Sequence, residues 1–170
     1  TIYALSSGPG ISGIAVIRIS GQETSKAIKL LTGKSVPKPR VATLRKINKI
    51  NTSELIDEGI ILWFPGPESY TGEDMAEIQV HGSKAVIEAL HASISKIENC
   101  RLAEAGEFTK QAYLNGKMNI LQVEGLSNLI QAETEAQRSN ALNTYLDNNQ
   151  QLYYGWLDSL KKALAYVEKA

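Results

Sequence analysis

IILWFPGPESYTGEDMAEIQVHG, Ile60 to Gly82, carries hydrophobic pattern, turn chemistry and charge in one continuous run. Glu58 to Phe64 reads as a buried strand. Met75 to Val80 reads as a half-buried one, with Ala76, Ile78 and Val80 on one side and Met75, Glu77 and Gln79 on the other. Between them stand the ten residues Pro65 to Asp74, with two prolines, two glycines and one aromatic. That is more than a tight hairpin needs, and long ordered loops are often functional.

Upstream, Ile2 to Leu5 is a short strand that enters Gly8-Pro9-Gly10-Ile11-Ser12-Gly13, formally a G-x-G-x-x-G. A dinucleotide loop must open a helix, but Ile14 to Ser20 is β-branched and alternating, so a glycine-rich connection between paired strands is expected. A Walker-type phosphate loop is not expected either. In Ile14 to Ser20, Ala15, Ile17 and Ile19 face one way while Ile14, Val16, Arg18 and Ser20 face the other. Arg18 is the misfit, because a guanidinium on an apolar strand needs solvent, a carboxylate or a ligand. Glu23 to Leu31 reads as a helix with Ala27, Ile28 and Leu31 inward and Gly33 at its end. Lys34 to Arg40 is a proline-containing linker, Val41 to Ile47 a strand, and Asn48 to Asp57 a polar turn.

Downstream, Lys84 to Ile97 has Val86, Leu90, Ile94 and Ile97 at helical spacing, so a helix packed on the sheet is predicted. Arg101 to Ala103 is a last strand, Thr109 to Leu114 a brief helix, and a first domain ends near Asn115-Gly116. Helix then follows without interruption. Asn119 to Gln122 and Thr134 to Gln137 have capping-box spacing, with Leu126, Leu129 and Ile130 as an apolar stripe. Leu142, Leu146, Asn149, Tyr153, Trp156, Leu160, Ala163 and Val167 step by four and three, the seam of one long helix in a larger bundle.

At 170 residues and 43% hydrophobic, the chain can bury a core. Eighteen basic residues balance eighteen acidic ones, so there is no overall electrostatic footprint for nucleic acid. A single cysteine, Cys100, excludes an internal disulfide and a cysteine-based zinc cluster. No run approaches the ~20 apolar residues of a membrane span. Thr1 to Leu5 looks like structure rather than a leader, so a trimmed or mature domain is expected.

Among polar residues, Glu77 follows the long loop on the polar side of its strand. If it neighbours Arg18 with the same facing, the two form a cross-strand ion pair, or else a ligand site in which a carboxylate meets a planar heterocycle and a basic residue holds an anionic tail. Lys117 is a second basic candidate, or simply caps its turn. His81 has no nucleophile with a matching motif and reads as structural, and His81 and His91 lack metal-site spacing. No catalytic residue and no metal ligand is assigned.

The sequence resembles the N-terminal part of the MnmE (TrmE) family of tRNA-modifying GTPases. The resemblance lies in Pro65-Gly66-Pro67 with Ser69-Tyr70-Thr71-Gly72-Glu73-Asp74 and His81-Gly82, and in Gly13 to Gly21. It recurs in Ala105-Gly106-Glu107-Phe108-Thr109 and in Asn115-Gly116-Lys117 with Gln122 to Leu126, so it covers essentially the whole chain. It implies an α+β fold, a mixed β-sheet with packed helices similar to the tetrahydrofolate-binding domains of glycine-cleavage T-proteins. Residues 1–117 would form a folate-binding and dimerisation domain, and 118–170 the start of an all-helical one.

The resemblance further implies that Arg18, Glu77 and Lys117 bind formyl-tetrahydrofolate as one-carbon donor. The family's site also uses a basic residue near a C-terminal cysteine motif that these residues do not include. GTP, with Mg and K, belongs to a GTPase domain outside these residues, so the chain alone is expected neither to bind nor to hydrolyse it. The implied setting is a homodimer that works with an MnmG-type flavoprotein on carbon 5 of the tRNA wobble uridine. Glu104 to Thr109 and Ala132 to Arg138 look more like mitochondrial members, which implies the mitochondrial matrix, with the bacterial cytoplasm as alternative. Two other readings stand beside it: a dimerisation and docking scaffold of the same complex without folate, and a free-standing folate-dependent one-carbon transferase.

Overall fold

The computed structural model describes residues 1–52, 54–146 and 150–167. The chain is α+β, and it divides into two compact units, Thr1–Lys117 and Met118–Ala170.

The first unit is built on a six-stranded mixed sheet of β1 (Ile2–Leu5), β2 (Ser12–Ser20), β3 (Thr43–Asn48), β4 (Leu55–Phe64), β5 (Met75–Gly82) and β6 (Arg101–Leu102), in the order β3-β4-β5-β2-β1-β6. Only β1 and β6 run parallel. The strict alternation of β2, β4 and β5 decides which face is covered. Ile17, Ile19, Ile61, Ile78 and Val80 point to one face and form a single core with Ala27, Ile28 and Leu31 of α1 (Thr24–Thr32) and Leu90 and Ile94 of α2 (Lys84–Ile94). Val16, Arg18, Ile60, Leu62, Glu77 and Gln79 lie on the opposite, half-buried face. The glycine-rich segment before β2 joins two antiparallel neighbours, as expected of a strand connection.

Several element bounds differ from the sequence reading. Leu55 to Asp57 belong to β4 rather than to the polar turn, because Leu55 and Asp57 pair with Asn48 and Ile47 of β3. α2 stops at Ile94, and Ile97 reaches the core from the turn beyond it. The short helix α3 (Glu107–Leu114) starts two residues early, where Glu107 can serve its N-terminus. The expectation of no phosphate loop has to be set against Gly33-Lys34-Ser35. This tripeptide ends α1 rather than opening a helix: Gly33 takes the left-handed conformation at φ 65° and donates its N–H to the Lys29 carbonyl. Ile28 stands where a phosphate loop's first glycine belongs, and it is fully buried.

His91 on α2 gives the first unit a pH signature. Its Nε2 is shut off from solvent with no partner among the described residues, its ring meets Tyr3 edge-on at 5.5 Å, and burial holds its pKa below the usual histidine range. The folded state therefore takes up a proton less readily than the unfolded chain. Its contribution is complete above the unfolded value of about 6.5 and declines as pH falls toward the lowered folded value. Urea unfolding at pH 7.5 and 5.5 is expected to show a lower midpoint at the acid value, with His91→Gln narrowing the gap. Equal gaps in the two proteins would contradict this assignment.

The second unit contains α4 (Ile120–Ile130), α5 (Glu135–Tyr145) and α6 (Gln150–Val167). Both predicted capping boxes form: Asn119 with Gln122 and Thr134 with Gln137 each exchange side-chain and backbone bonds. The packing of α4 on α5 centres on Gly125 rather than on the predicted stripe, and Ile130 is exposed. A Cβ on Gly125 would lie 2.5 Å from the Tyr145 nitrogen, so only glycine allows the helices this close. The single long helix is not observed either: α5 ends at Tyr145 with Leu146 as its cap, and α6 is separate. Asn149, the expected polar break in the seam, lies outside the described residues. On α6, Trp156, Leu160, Leu164 and Val167 are all exposed.

Candidate functional site

The register of the sheet creates the site. β2 and β5 are antiparallel neighbours in which Arg18 stands opposite Glu77, and Leu62 of β4 lies on Glu77's other side. Because directly opposed residues share a face, the two charged side chains meet. Arg18 Nε and Nη2 both donate to one carboxylate oxygen, Glu77 Oε1, at 3.1 and 2.7 Å. Their side chains are 26% and 19% exposed, so the pair is partly withdrawn from water yet reachable. Among the described residues, Arg18 Nη1 and Glu77 Oε2 make no hydrogen bond. Each partner thus keeps one group without a bond, a donor on Arg18 and an acceptor on Glu77, on this half-buried face.

Two aromatic rings flank the guanidinium. Its Cζ lies 5.3 Å from the Tyr70 ring centre and 5.6 Å from that of Phe108, within range of cation–π attraction. Tyr70 comes from the long loop and Phe108 from α3, and the Tyr70 hydroxyl meets Thr109 Oγ1 at 2.8 Å. Arg101 of β6 orients α3 by a two-pronged bond to Glu107, which holds that carboxyl down at about 2. The Glu104 N–H donates to the same carboxylate.

The loop from Pro65 to Asp74 is tied down by its own polar residues. The Thr71 and Ser20 hydroxyls meet at 2.7 Å in a fully buried contact. Asn115 Nδ2 donates to the Thr71 carbonyl at 2.7 Å, and the Asp74 carbonyl accepts from Gly21 N–H and Thr24 Oγ1. Gly72 adopts φ 80° beside Lys117: a Cβ there would lie 3.3 Å from Lys117 Cε. Lys117 is therefore at the loop that supplies Tyr70, with its backbone N–H on the Ala112 carbonyl. Its ammonium has no ion-pair partner among the described residues. Arg18 and Glu77 are in direct contact, while Lys117 joins them only through the loop.

His81 is not free. Its Nδ1 lies 2.9 and 3.0 Å from the two Asp57 carboxylate oxygens, and its backbone N–H donates to Asp57 Oδ2 at 2.8 Å. Burial pushes the Asp57 pKa upward, but the bonds from His81 and the Glu58 N–H outweigh it and hold the carboxyl below its usual range. The imidazole is largely exposed, beside a shallow cleft of about 230 Å³ lined in part by Ile14, Leu44, Ile60 and Gln79. No group of three or more potential metal ligands occurs among the described residues.

The geometry draws in residues that the pattern reading left without a role. Tyr70 was visible as the loop's single aromatic and Phe108 within Gly106-Glu107-Phe108. That both rings reach Arg18 depends on the docking of loop and α3, which no local period encodes.

Residues 1–117 match the family described as "GTP-binding protein TrmE N-terminus". The chain belongs to the TrmE N-terminal family. It is 65% identical over 168 residues to the tRNA modification GTPase MnmE of Pelagibacter ubique, covering 99% of this chain and 38% of that protein. It is 49% identical over 168 residues to the mitochondrial 5-taurinomethyluridine-[tRNA] synthase subunit GTPB3 of Danio rerio, covering 99% of this chain and 33% of the relative. The human protein of that name is 48% identical over 169 residues, with 99% and 34% covered. The chain thus spans about a third of the length of these relatives. No helix among the described residues is long and apolar enough to cross a membrane.

Proposed function

We propose that the first unit holds formyl-tetrahydrofolate on its open sheet face through Arg18, Glu77 and Lys117, as the one-carbon donor of a tRNA-modifying GTPase. The observation that carries this reading is the partly exposed Arg18–Glu77 pair, in which Arg18 Nη1 and Glu77 Oε2 make no hydrogen bond among the described residues. A pterin edge offers N–H donors to a carboxylate and a carbonyl to a guanidinium, and the glutamyl tail offers carboxylates to a free ammonium. The residues therefore fit the group. When bound, the folate supplies the one-carbon unit. The chain's own residues bind and orient it, and Tyr70 and Phe108 keep the guanidinium in place.

The reaction extends to the rest of the parent protein: a GTPase domain using GTP with Mg and K, and an MnmG-type flavoprotein partner. Together they modify carbon 5 of the tRNA wobble uridine. The first unit pairs with a second copy as a homodimer, and the exposed apolar seam of α6 packs against further helices of the parent. Of the two expected locations, the greater identity to a bacterial relative, 65% against 49% and 48%, supports the bacterial cytoplasm over the mitochondrial matrix.

The scaffold reading has an observation in its favour, since Arg18 and Glu77 already satisfy each other in part. Arg18→Ala separates the two. A partly exposed pair contributes only about 1 kcal/mol, so a ligand site is expected to lose 5-formyltetrahydrofolate binding with a small drop in thermal midpoint. Unchanged binding with lowered stability would instead make the pair structural.

A further inference from the structure

Thr71 of the long loop and Ser20 of β2 are both fully buried, and the neighbours of their 2.7 Å hydroxyl contact fix its direction. Ser20 Oγ also lies 3.3 Å from Glu73 Oε2. An ionised carboxylate only accepts, so the single Ser20 proton goes to Glu73 and Thr71 must donate to Ser20. Thr71 Oγ1 in turn accepts the Glu73 N–H at 3.3 Å. The three residues close a ring of hydrogen bonds that starts on the Glu73 backbone and ends on its carboxylate.

Burial alone does not call for hydroxyls here, since an apolar pair of the same shape can fill such a space at nearly the same stability. What the ring adds is a fixed setting of the loop. Ser20 lies two residues beyond Arg18 on the same side of β2, about 7 Å along the strand. Thr71 directly follows Tyr70, and its carbonyl is held as well, by Asn115 Nδ2 at 2.7 Å. The Tyr70 ring, 5.3 Å from Arg18 Cζ, therefore hangs from a residue pinned at both its side chain and its carbonyl.

We propose that Thr71 and Ser20 are positioning residues of the site: their hydroxyl bond docks the long loop onto the strand of Arg18, aims the Tyr70 ring at the guanidinium and so sets the affinity for the ligand. The effect on affinity rests on the folate reading of Arg18, Glu77 and Lys117. The aiming of Tyr70 does not.

Two measurements on the chain test this in Thr71→Val, Ser20→Ala and Thr71→Ser. Calorimetric titration with 5-formyltetrahydrofolate reads affinity, and the NMR resonance of the Arg18 Nε proton, which a facing Tyr70 ring shifts, reads the aim. In Thr71→Val, Ser20 keeps Glu73 as its acceptor, so the fold is expected to hold, and Ser20→Ala breaks the same bond from the strand side. The expected result is a Kd raised about tenfold in Thr71→Val and Ser20→Ala, with the Arg18 resonance moved toward its position in Tyr70→Leu. Thr71→Ser, which restores the hydroxyl, is expected to stay within about twofold of the wild type with its resonance in place. Wild-type affinity in the two folded variants that lack the bond, or an unmoved Arg18 resonance, makes the bond structural only and overturns the proposal. Equal losses in Thr71→Ser and Thr71→Val would also overturn it, because shape rather than the hydroxyl would then matter. A wild type that takes up no folate removes the folate reading and the effect on affinity with it, while the resonance still decides whether the bond aims Tyr70.

Discussion

Gly59→Ala is expected to unfold the first unit or to lower its stability by more than about 3 kcal/mol. Gly59 is buried in β4 between Arg45 of β3 and the end of the β4–β5 ladder. A Cβ built there lies 2.2 Å from the Gln79 carbonyl oxygen and 3.2 Å from Val80 Cγ1. A backbone carbonyl in a sheet cannot swing aside as a side-chain tip can, so the two strands must separate. The next rungs are Ile60–Gln79, Ile61–Ile78 and Leu62–Glu77, so the same strain reaches both the core and the candidate site. Gly13→Ala is the control, since a Cβ there meets nothing within 4 Å. Urea unfolding of the two variants checks the contrast. A Gly59→Ala midpoint equal to that of Gly13→Ala would mean that β4 and β5 are not held this close.

Glu77→Ala is expected to abolish folate binding while leaving the fold in place. The substitution removes Oε2, the free acceptor, and also Oε1, which takes both of Arg18's bonds. Arg18 keeps its two aromatic neighbours but loses the bonds that aim it. The stability cost is expected near 1 kcal/mol because the pair is partly solvated. A drop in affinity of at least about a hundredfold is expected, since the ligand's N–H groups would face no carboxylate. Equilibrium dialysis against 5-formyltetrahydrofolate measures it, with Glu77→Gln intermediate because one carbonyl acceptor remains. Binding by Glu77→Ala at the wild-type level would place the ligand elsewhere.

Most of the sheet was legible because a half-buried strand writes its facing into every second residue. Arg18 broke an apolar strand and Glu77 stood on the polar side of its own, and each sat on the side its alternation assigned. Their meeting needed only the neighbouring of β2 and β5. The rest of the site was less readable. Phe108 reaches Arg18 only through the docking of α3, whose first residue Glu107 is held by Arg101. That is a tertiary contact with no sequence period of its own. Gly59 and Gly125 were passed over because a glycine's close approach is visible only once the opposing backbone is known. His81 read as structural but without a named partner, because Asp57 was assigned to a turn rather than to β4. The seam through Leu142 and Leu146 was read as unbroken because a heptad-like pattern records which residues are apolar, not where a helix stops.

The central claim is that the first unit of this TrmE-family chain is a folate site. Its most direct test is calorimetric titration of the purified chain with 5-formyltetrahydrofolate. Saturable binding is expected, lost in both Arg18→Ala and Glu77→Ala while their folded signal persists. A chain that is folded by circular dichroism and takes up no folate would contradict it.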